Sequence, residues 1–595
     1  MFKRFVTLLI ALSMMLVSAP AIAQETPAQF NEAPMLADMV AAGQLPPLEE
    51  RLPVAEDVLV VEPVESIGQY GGTWRRAMTS EADFHAFGRQ VYEPMLRWPR
   101  DTRDPIIPGI AKAWEFNDEG TELTLYLREG IKWSDGAPFT TADITFWWED
   151  IALDPELTPA PPGYWVVGGE PMQLEALDEY TVKLTFKEPY GLALRMLAFR
   201  GNQWPLQFER FGFFAPRHYL AQYHPRYTEG ADYATFNQMA DDYNVDRPVL
   251  TAWKITTYNP GNLVIATRNP YYWKVDPEGN QLPYIDEIRL DMVGDSEVLN
   301  LKAINGELDF QFRRIDPANL PLFAENAEAK GYEFRLWPEA TGAQIALWVN
   351  QSYEDPQYRE LFQDVRFRRA LSMSVDRERI NDISFLGLGT PRSGTLVPQS
   401  PYYVPEAETL WSPPKPDFEA ATALLEEIGL AKNADGFYTF ADGTVIELLI
   451  ETSETAGARL DAIELVASDW NALGVKTDIQ TMDRDLYWPR ATSNQVKVAV
   501  WNTDRGVEPW VDPIYMFPFD NRSWMAPLYG VWYQTGGAAG EAPPADSPFM
   551  RAMELYDELK VTIDYDRQVE IAKEIVMIAA DEVFSTLMGD QVEPR

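Results

Sequence analysis

Residues 131–145 read Ile-Lys-Trp-Ser-Asp-Gly-Ala-Pro-Phe-Thr-Thr-Ala-Asp-Ile-Thr, and two readings compete for them. Ser134 beside Asp135 and Gly136 is either an exposed nucleophile or part of a turn. The flanking residues decide. Leu123, Leu125 and Leu127 alternate with Thr124, Tyr126 and Arg128, the period of a half-buried strand. Ser134-Asp135-Gly136 is turn chemistry. Thr140 then stands where a helix N-cap belongs, and Asp143, three residues on, closes a capping box. Ile144, Trp147, Trp148 and Ile151 follow at helical spacing on one face. Strand, turn and capped helix use every residue, so the Ser-Asp pair is architecture.

Working outward, the chain begins with Lys3 and Arg4, an apolar run from Phe5 to Val17 and small residues at Ala21-Ile22-Ala23. That is a secretory signal cleaved after residue 23, too short to remain as a membrane span. No later stretch reaches transmembrane length. With no cysteine anywhere, there is no lipid attachment, disulfide, zinc-thiolate site or cysteine nucleophile. The expected location is the periplasm, in free form. A formal net charge of −41 repels nucleic acid and anionic membrane, which excludes both as partners.

Residues 24–70 are rich in Pro and Glu and read as an extended, partly mobile leader. Strands are expected at 183–189, 262–273, 285–293, 445–452 and 475–482. A helix through Leu299 and Ile304 should stop at Asn305-Gly306. Further helices are expected over 365–380, over 417–429 with Asp417 as cap, and through Leu460 to Leu473. Strands and helices alternate, so the class is α/β with more than one sheet.

Several segments, in order, resemble the family 5 extracellular solute-binding proteins, receptors of ABC importers. Trp133-Ser134-Asp135-Gly136-x-Pro138-x-Thr140-x-Ala142-Asp143 resembles the family's signature. Val91-Tyr92-Glu93-Pro94-Met95-Leu96 resembles the helix before it, and Ile304-Asn305-Gly306-Glu307-Leu308-Asp309 its x-x-Gly-Glu-x-Asp segment. Asp364 to Leu371, with Asp376-Arg377, resembles the long helix that opens the second lobe. The resemblance spans roughly residues 70–590. It implies an α/β, two-lobe periplasmic-binding-protein fold of type II, cluster C-like, with an extra subdomain in lobe one. Residues 1–23 are then the signal and 24–54 the leader. Lobe one comprises 55–90 and 188–298, its extra subdomain 91–187, and lobe two 299–588. Residues 589–595 stop short of the family's return to lobe one.

The resemblance also implies the site. In peptide-binding members a Trp-x-x-Asp segment of lobe two faces the cleft, its aspartate pairing with the peptide amino terminus. Here Trp501 and Asp504 match, with Asn502, Thr503 and Trp510 beside them. A carboxylate there would hold an ammonium or accept sugar hydroxyls, and an indole face would stack on the solute. Ser80 and Glu81 resemble the loop of the opposite wall, and Trp165 lies in a Pro/Gly-rich loop that could reach the cleft. The implied partners are an oligopeptide or oligosaccharide and an inner-membrane ABC permease, with the receptor a monomer. No cofactor or metal is expected: His85, His218 and His224 are not grouped as ligands. The rival reading, a secreted hydrolase or glycosidase, lacks a Gly-x-Ser-x-Gly elbow and a His-Glu-x-x-His helix, and acids this numerous make carboxylate pairs uninformative.

Overall fold

The computed structural model describes residues 27–594 except 84, 160, 203–210, 339, 394–395, 454–456 and 588–591. The expected signal at 1–23 lies outside the described residues. Three sheets organise the chain. The first has four strands in the order Trp253–Asn259, Leu263–Arg268, Glu287–Met292, Thr73–Met78, the last pair parallel. Ile255, Val264, Ala266, Ile288, Leu290 and Met78 form its core. The second, antiparallel throughout, runs Ala111–Phe116, Glu122–Leu127, Thr181–Thr185, Gln173–Ala176. The third has five strands: Lys476–Thr481, Glu447–Thr452, Val498–Thr503, Ala343–Val349, Thr586–Leu587.

Alternation explains the second sheet. Leu123, Leu125 and Leu127 are buried while their neighbours are half-exposed, as period-two patterning requires. The third sheet differs. Ala343–Val349 is buried along its whole length because neighbouring strands flank it and helices cover its faces. Ile463, Val466 and Trp470 of the helix Ala458–Leu473 join Leu448, Ile450, Val498 and Val500 in one core. The largest core is continuous from the second sheet, through Trp147, Trp165 and Tyr190, to Leu555, Tyr556, Ile571 and Ile575 of the helices Pro548–Val561 and Tyr565–Asp581.

Four expectations are corrected. The leader is packed: helices Pro34–Ala41 and Leu48–Arg51 precede a strand, Leu59–Val60, that pairs with Lys274–Val275. Leu48, Leu52, Val58 and Val60 bury against Val275, and buried Arg51 donates to the Pro270 carbonyl and to Glu32. Apolar residues spaced between prolines provide this anchor, although the composition resembles a linker. Residues 91–96 are not a helix, because Pro94 disfavours helical backbone before it. Instead Pro94 bridges to Asn202, and Leu96–Arg97 pairs with Ile107–Pro108. The 365–380 helix is two, Val365–Met373 and Arg377–Ser384. Asp376 caps the second by accepting from Arg379 N at 3.0 Å, which starts a new helix rather than continuing the old one. The helix after Thr140 spans Thr141–Phe146 and continues as a π-helical turn over Trp147–Ala152. The wider turn keeps both adjacent indoles buried.

Residues 308–315 run beside Thr73–Met78 without forming a ladder. Arg75 pairs with Asp309 at 2.6 Å, Trp74 Nε1 donates to Phe310 O, and the Gln311 amide bonds both N and O of Ala77. The strand Val592–Pro594 pairs antiparallel with Leu336–Pro338. That places it against the segment following helix Leu320–Lys330.

Candidate functional site

The strand Val498–Thr503 sits inside the third sheet, and its C-terminal end carries the residues of interest. Trp501, half-buried, belongs to an aromatic cluster. Tyr487 lies parallel to it at 6.4 Å, while Trp488 and Trp524 meet it edge-on at 5.3 and 5.9 Å. Trp524 also meets Trp348, which stacks on Tyr515 at 5.7 Å. Helix Arg484–Thr492 supplies Tyr487 and Trp488. The guanidinium of Arg484 lies 5.2 Å from the Trp501 ring and 5.9 Å from that of Trp488, a cation–π arrangement.

The polar atoms at this strand end are incompletely used by the protein. Thr503 Oγ1 and Trp524 Nε1 are buried without a hydrogen-bond partner among the described residues. Such atoms are uncommon in folded proteins and mark sites where something else must satisfy them. Asp504 is half-buried, and Asn502 Nδ2 donates to its Oδ1 at 2.6 Å. No described cation forms an ion pair with Asp504. The charge of Asp504 is felt by Tyr515, whose phenol is pushed well above its ordinary range by burial first and by Asp504 second. Asp504 therefore stands beside the aromatic cluster.

The next residues are tied down. Arg505 adopts φ +64, an uncommon conformation for a residue with a Cβ, and pairs with Asp512 at 2.8 Å. Asp512, almost fully buried, also faces Arg522 at 2.8 Å and Arg200 at 3.4 Å. Burial opposes its charge, but the three guanidiniums prevail and hold its carboxyl well below the usual range. Gly506 N bonds Ala340 O at 2.8 Å. Glu508 accepts from Tyr402 OH at 2.8 Å and lies 3.3 Å from Arg195. The strand end is thus followed by a loop tied down by ion pairs at Arg505, Asp512 and Glu508.

The other expected residues fall in different places. Trp510 is fully buried, edge-on to Tyr402 at 5.8 Å. Trp165 is fully buried against Phe213 and Tyr190, at 5.4 and 6.3 Å. Neither indole offers a face to a solute, and both are corrected to core. Ser80 is exposed. The Glu81 carboxylate accepts from Gly261 N at 2.6 Å and lies near Tyr258 OH, so it braces the turn between two strands of the first sheet. Sequence reasoning missed Arg484, Tyr487 and Trp488. The only signal was their position four residues or fewer apart on a helix following a strand of the same sheet. Among the described residues no three His, Asp or Glu side chains converge as a metal site, and no helix is long and apolar enough to cross a membrane.

A cavity of about 250 Å³ lies elsewhere, between Leu308, Phe310, Phe323, Tyr332 and Trp337. None of the expected site residues lines it. Its volume falls below the roughly 300–1,000 Å³ of typical small-molecule sites.

Comparison with known proteins agrees with this fold. Residues 105–524 match the family described as bacterial extracellular solute-binding proteins, family 5 Middle. A periplasmic alpha-galactoside-binding protein of Rhizobium meliloti (strain 1021) is 25% identical over 91% of this chain and 80% of its own. The periplasmic oligopeptide-binding protein OppA of Salmonella typhimurium is 26% identical over 66% of each chain. Among solved structures, an oligopeptide-binding protein OppA superposes with a TM-score of 0.72 at 34% identity, over 96% of this chain and 93% of the other. The periplasmic binding protein MelB of Agrobacterium fabrum C58, in complex with stachyose, gives 0.75 at 22% identity, over 97% and 90%.

Proposed function

We propose, for a chain that belongs to the bacterial extracellular solute-binding proteins of family 5, that the Trp501–Asp504 strand end captures a short peptide or oligosaccharide. The solute is then delivered, chemically unchanged, to an ABC permease of the inner membrane. One observation carries the reading: a half-buried carboxylate and buried polar atoms without protein partners stand on an aromatic floor. Asp504 favours a peptide, because a carboxylate without a cation of its own attracts an ammonium. The floor of Trp501 and Trp488 favours a sugar, whose C–H faces pack on indoles. The OppA relatives support the first and the alpha-galactoside-binding relative the second.

In this reading the receptor works as a monomer in the periplasm after losing residues 1–23, with no lipid anchor. Lobe one comprises 55–90 and 188–298 with the 91–187 subdomain. We place the start of lobe two near Ala343 rather than at 299, because residues 308–315 bond to Thr73–Met78 of the first sheet. Mass spectrometry of the solute that co-purifies with the native protein, followed by calorimetric titration of Trp501→Ala, tests the proposal. A sugar should lose more affinity than a peptide, since ring stacking is then its main apolar contact. Unchanged affinity for both would place the cleft elsewhere.

A further inference from the structure

The strand Ala343–Val349 has two ends, and the capture reading uses one of them. Ala343 is paired with Thr503 and Ala346 with Trp501, whereas Val349 is paired with Val498. The chain leaves the sheet at this far end, and Gln351 lies five residues beyond the partner of Trp501. At about 3.3 Å per residue, that is roughly 16 Å from the aromatic floor. There Gln351 lines a second cavity, of about 160 Å³, together with Tyr529, Ser547, Phe549, Glu582 and Phe584. The space is too small for a tripeptide or a trisaccharide, but a cavity of about 150 Å³ holds a six-carbon ring.

The polar part of this lining consists of donors that the protein leaves unused. Gln351 is 3% exposed, and its Nε2 has no hydrogen-bond partner among the described residues. Its backbone is engaged on both sides: Gln351 N donates to Met525 O at 2.8 Å, and Gln351 O accepts from Gln363 Nε2 at 2.9 Å. Tyr529, also buried, accepts from the same Gln363 amide at 2.9 Å, which leaves its phenolic proton without a described acceptor. Ser547 caps the helix Pro548–Val561, its hydroxyl accepting from Met550 N at 3.2 Å, and that proton too has no described acceptor. The helix runs for 14 residues, and its N-terminus adds a positive potential. The one carboxylate here, Glu582, is taken up by buried Arg368, which pairs with it at 2.9 Å and bonds its carbonyl at 2.8 Å.

The remaining lining is mainly apolar. Phe549 and Phe584 stack at 4.3 Å, and Pro544 and Pro548 adjoin them. Unused donors beside stacked rings describe a guest with an acceptor head and a short hydrocarbon tail. We propose that this cavity is a second binding site, separate from the solute site, for a short-chain carboxylate of about three to five carbons. The carboxylate accepts from Gln351 Nε2, Tyr529 OH and Ser547 OH at the helix N-terminus, and the chain lies on Phe549 and Phe584. Buried polar atoms without partners call for an occupant, and a carboxylate offers acceptors together with the charge that a helix N-terminus favours. The proposal does not depend on which solute the receptor captures.

Saturation-transfer NMR on the native protein tests this with three probes of one shape: butyrate, butyramide and butylammonium. Butyrate should bind saturably and several-fold tighter than butyramide, and butylammonium should not bind. Gln351→Leu, in a protein that melts as the parent does, should weaken butyrate about tenfold, as loss of a hydrogen bond to a charged group does. Tyr529→Phe, which keeps the ring, should weaken it less. Trp501→Ala should leave it unchanged, because the solute site is at the other end of the strand. Butyrate no tighter than butyramide or butylammonium overturns the proposal from the unaltered protein alone, whatever the variants do. Absence of saturable binding also overturns it, since water alone would then fill the cavity. An affinity unchanged in Gln351→Leu does the same, as does an equal loss in Trp501→Ala, which would put butyrate in the solute site.

Discussion

The stretch at 131–145 and the stretch at 500–512 both pair an aspartate with a tryptophan, and they differ in who uses their hydrogen-bonding capacity. In the first, the protein uses nearly all of it. Ser134 N donates to Val249 O at 2.9 Å, and its hydroxyl accepts from Val249 N at 3.0 Å. Asp135 holds His218 at 2.8 Å. Gly136 adopts φ +91, and a Cβ there would meet Tyr271 at 2.9 Å. Thr140 and Asp143 form the expected capping box, and Asp143 also accepts from Arg217 N and Trp133 Nε1. In the second, Thr503 Oγ1 has no partner and Asp504 has only Asn502. The first motif satisfies itself as scaffold, while the second leaves buried polar capacity unused among the described residues, as the proposed site requires.

The two buried aspartates sharpen the contrast. Asp143 has donors but no cation in ion-pair contact, and burial raises its pKa from 3.8 to about 6. Asp512 has three arginines and is held low. The largest expected effect is therefore at Asp512. Asp512→Asn leaves Arg505, Arg522 and Arg200 facing one another in the interior and should cost roughly 3–5 kcal/mol, read from urea midpoints. A loss under about 1 kcal/mol would mean that the loop is not held as described.

Next comes Asp504→Asn, which keeps shape and removes charge. Calorimetry against trialanine should show a loss of roughly 2–5 kcal/mol if the solute's ammonium meets Asp504 in a desolvated setting. For a neutral sugar the loss should be nearer 1 kcal/mol. No change for either would break the contrast between the two stretches.

The pH dependence is of similar size. An acid with a raised folded pKa keeps its proton between about pH 4 and 6, where the unfolded chain has released it. Stability contributed by Asp143 is thus lost as pH rises through that window and regained on acidification, by about 3 kcal/mol at most. Asp512 acts oppositely: its stabilisation is present above the ordinary carboxylate range and lost as pH falls through its low folded value. Melting curves of Asp143→Asn should lack the rise in stability, relative to neutral pH, that the parent shows near pH 4.5. Identical pH profiles would sink the assignment. The smallest effect belongs to Thr140→Ala, which removes one capping bond, Ala142 N to Thr140 Oγ1 at 3.3 Å. It should cost about 1 kcal/mol and leave solute preference alone.

The sequence by itself determined what depends on neighbours along the chain. The capping box at Thr140 and Asp143, the strand over 122–127, the helix stop at Asn305-Gly306 and the cap at Asp417 all rest on contacts within a few residues. The ordered motifs were equally legible, because family membership is itself a linear pattern. What the sequence misjudged lay in long-range packing. The leader at 24–70 reads as extended until Leu48, Val58 and Val60 meet Val275. Trp510 and Trp165 were expected at the cleft, and the fold encloses both. Only the tertiary structure brought Arg484 and Trp524 onto Trp501. Local propensity is set by nearby sterics and hydrogen bonds, whereas a cleft arises where two sheets meet, and no periodicity in either sheet encodes which residues will face across it.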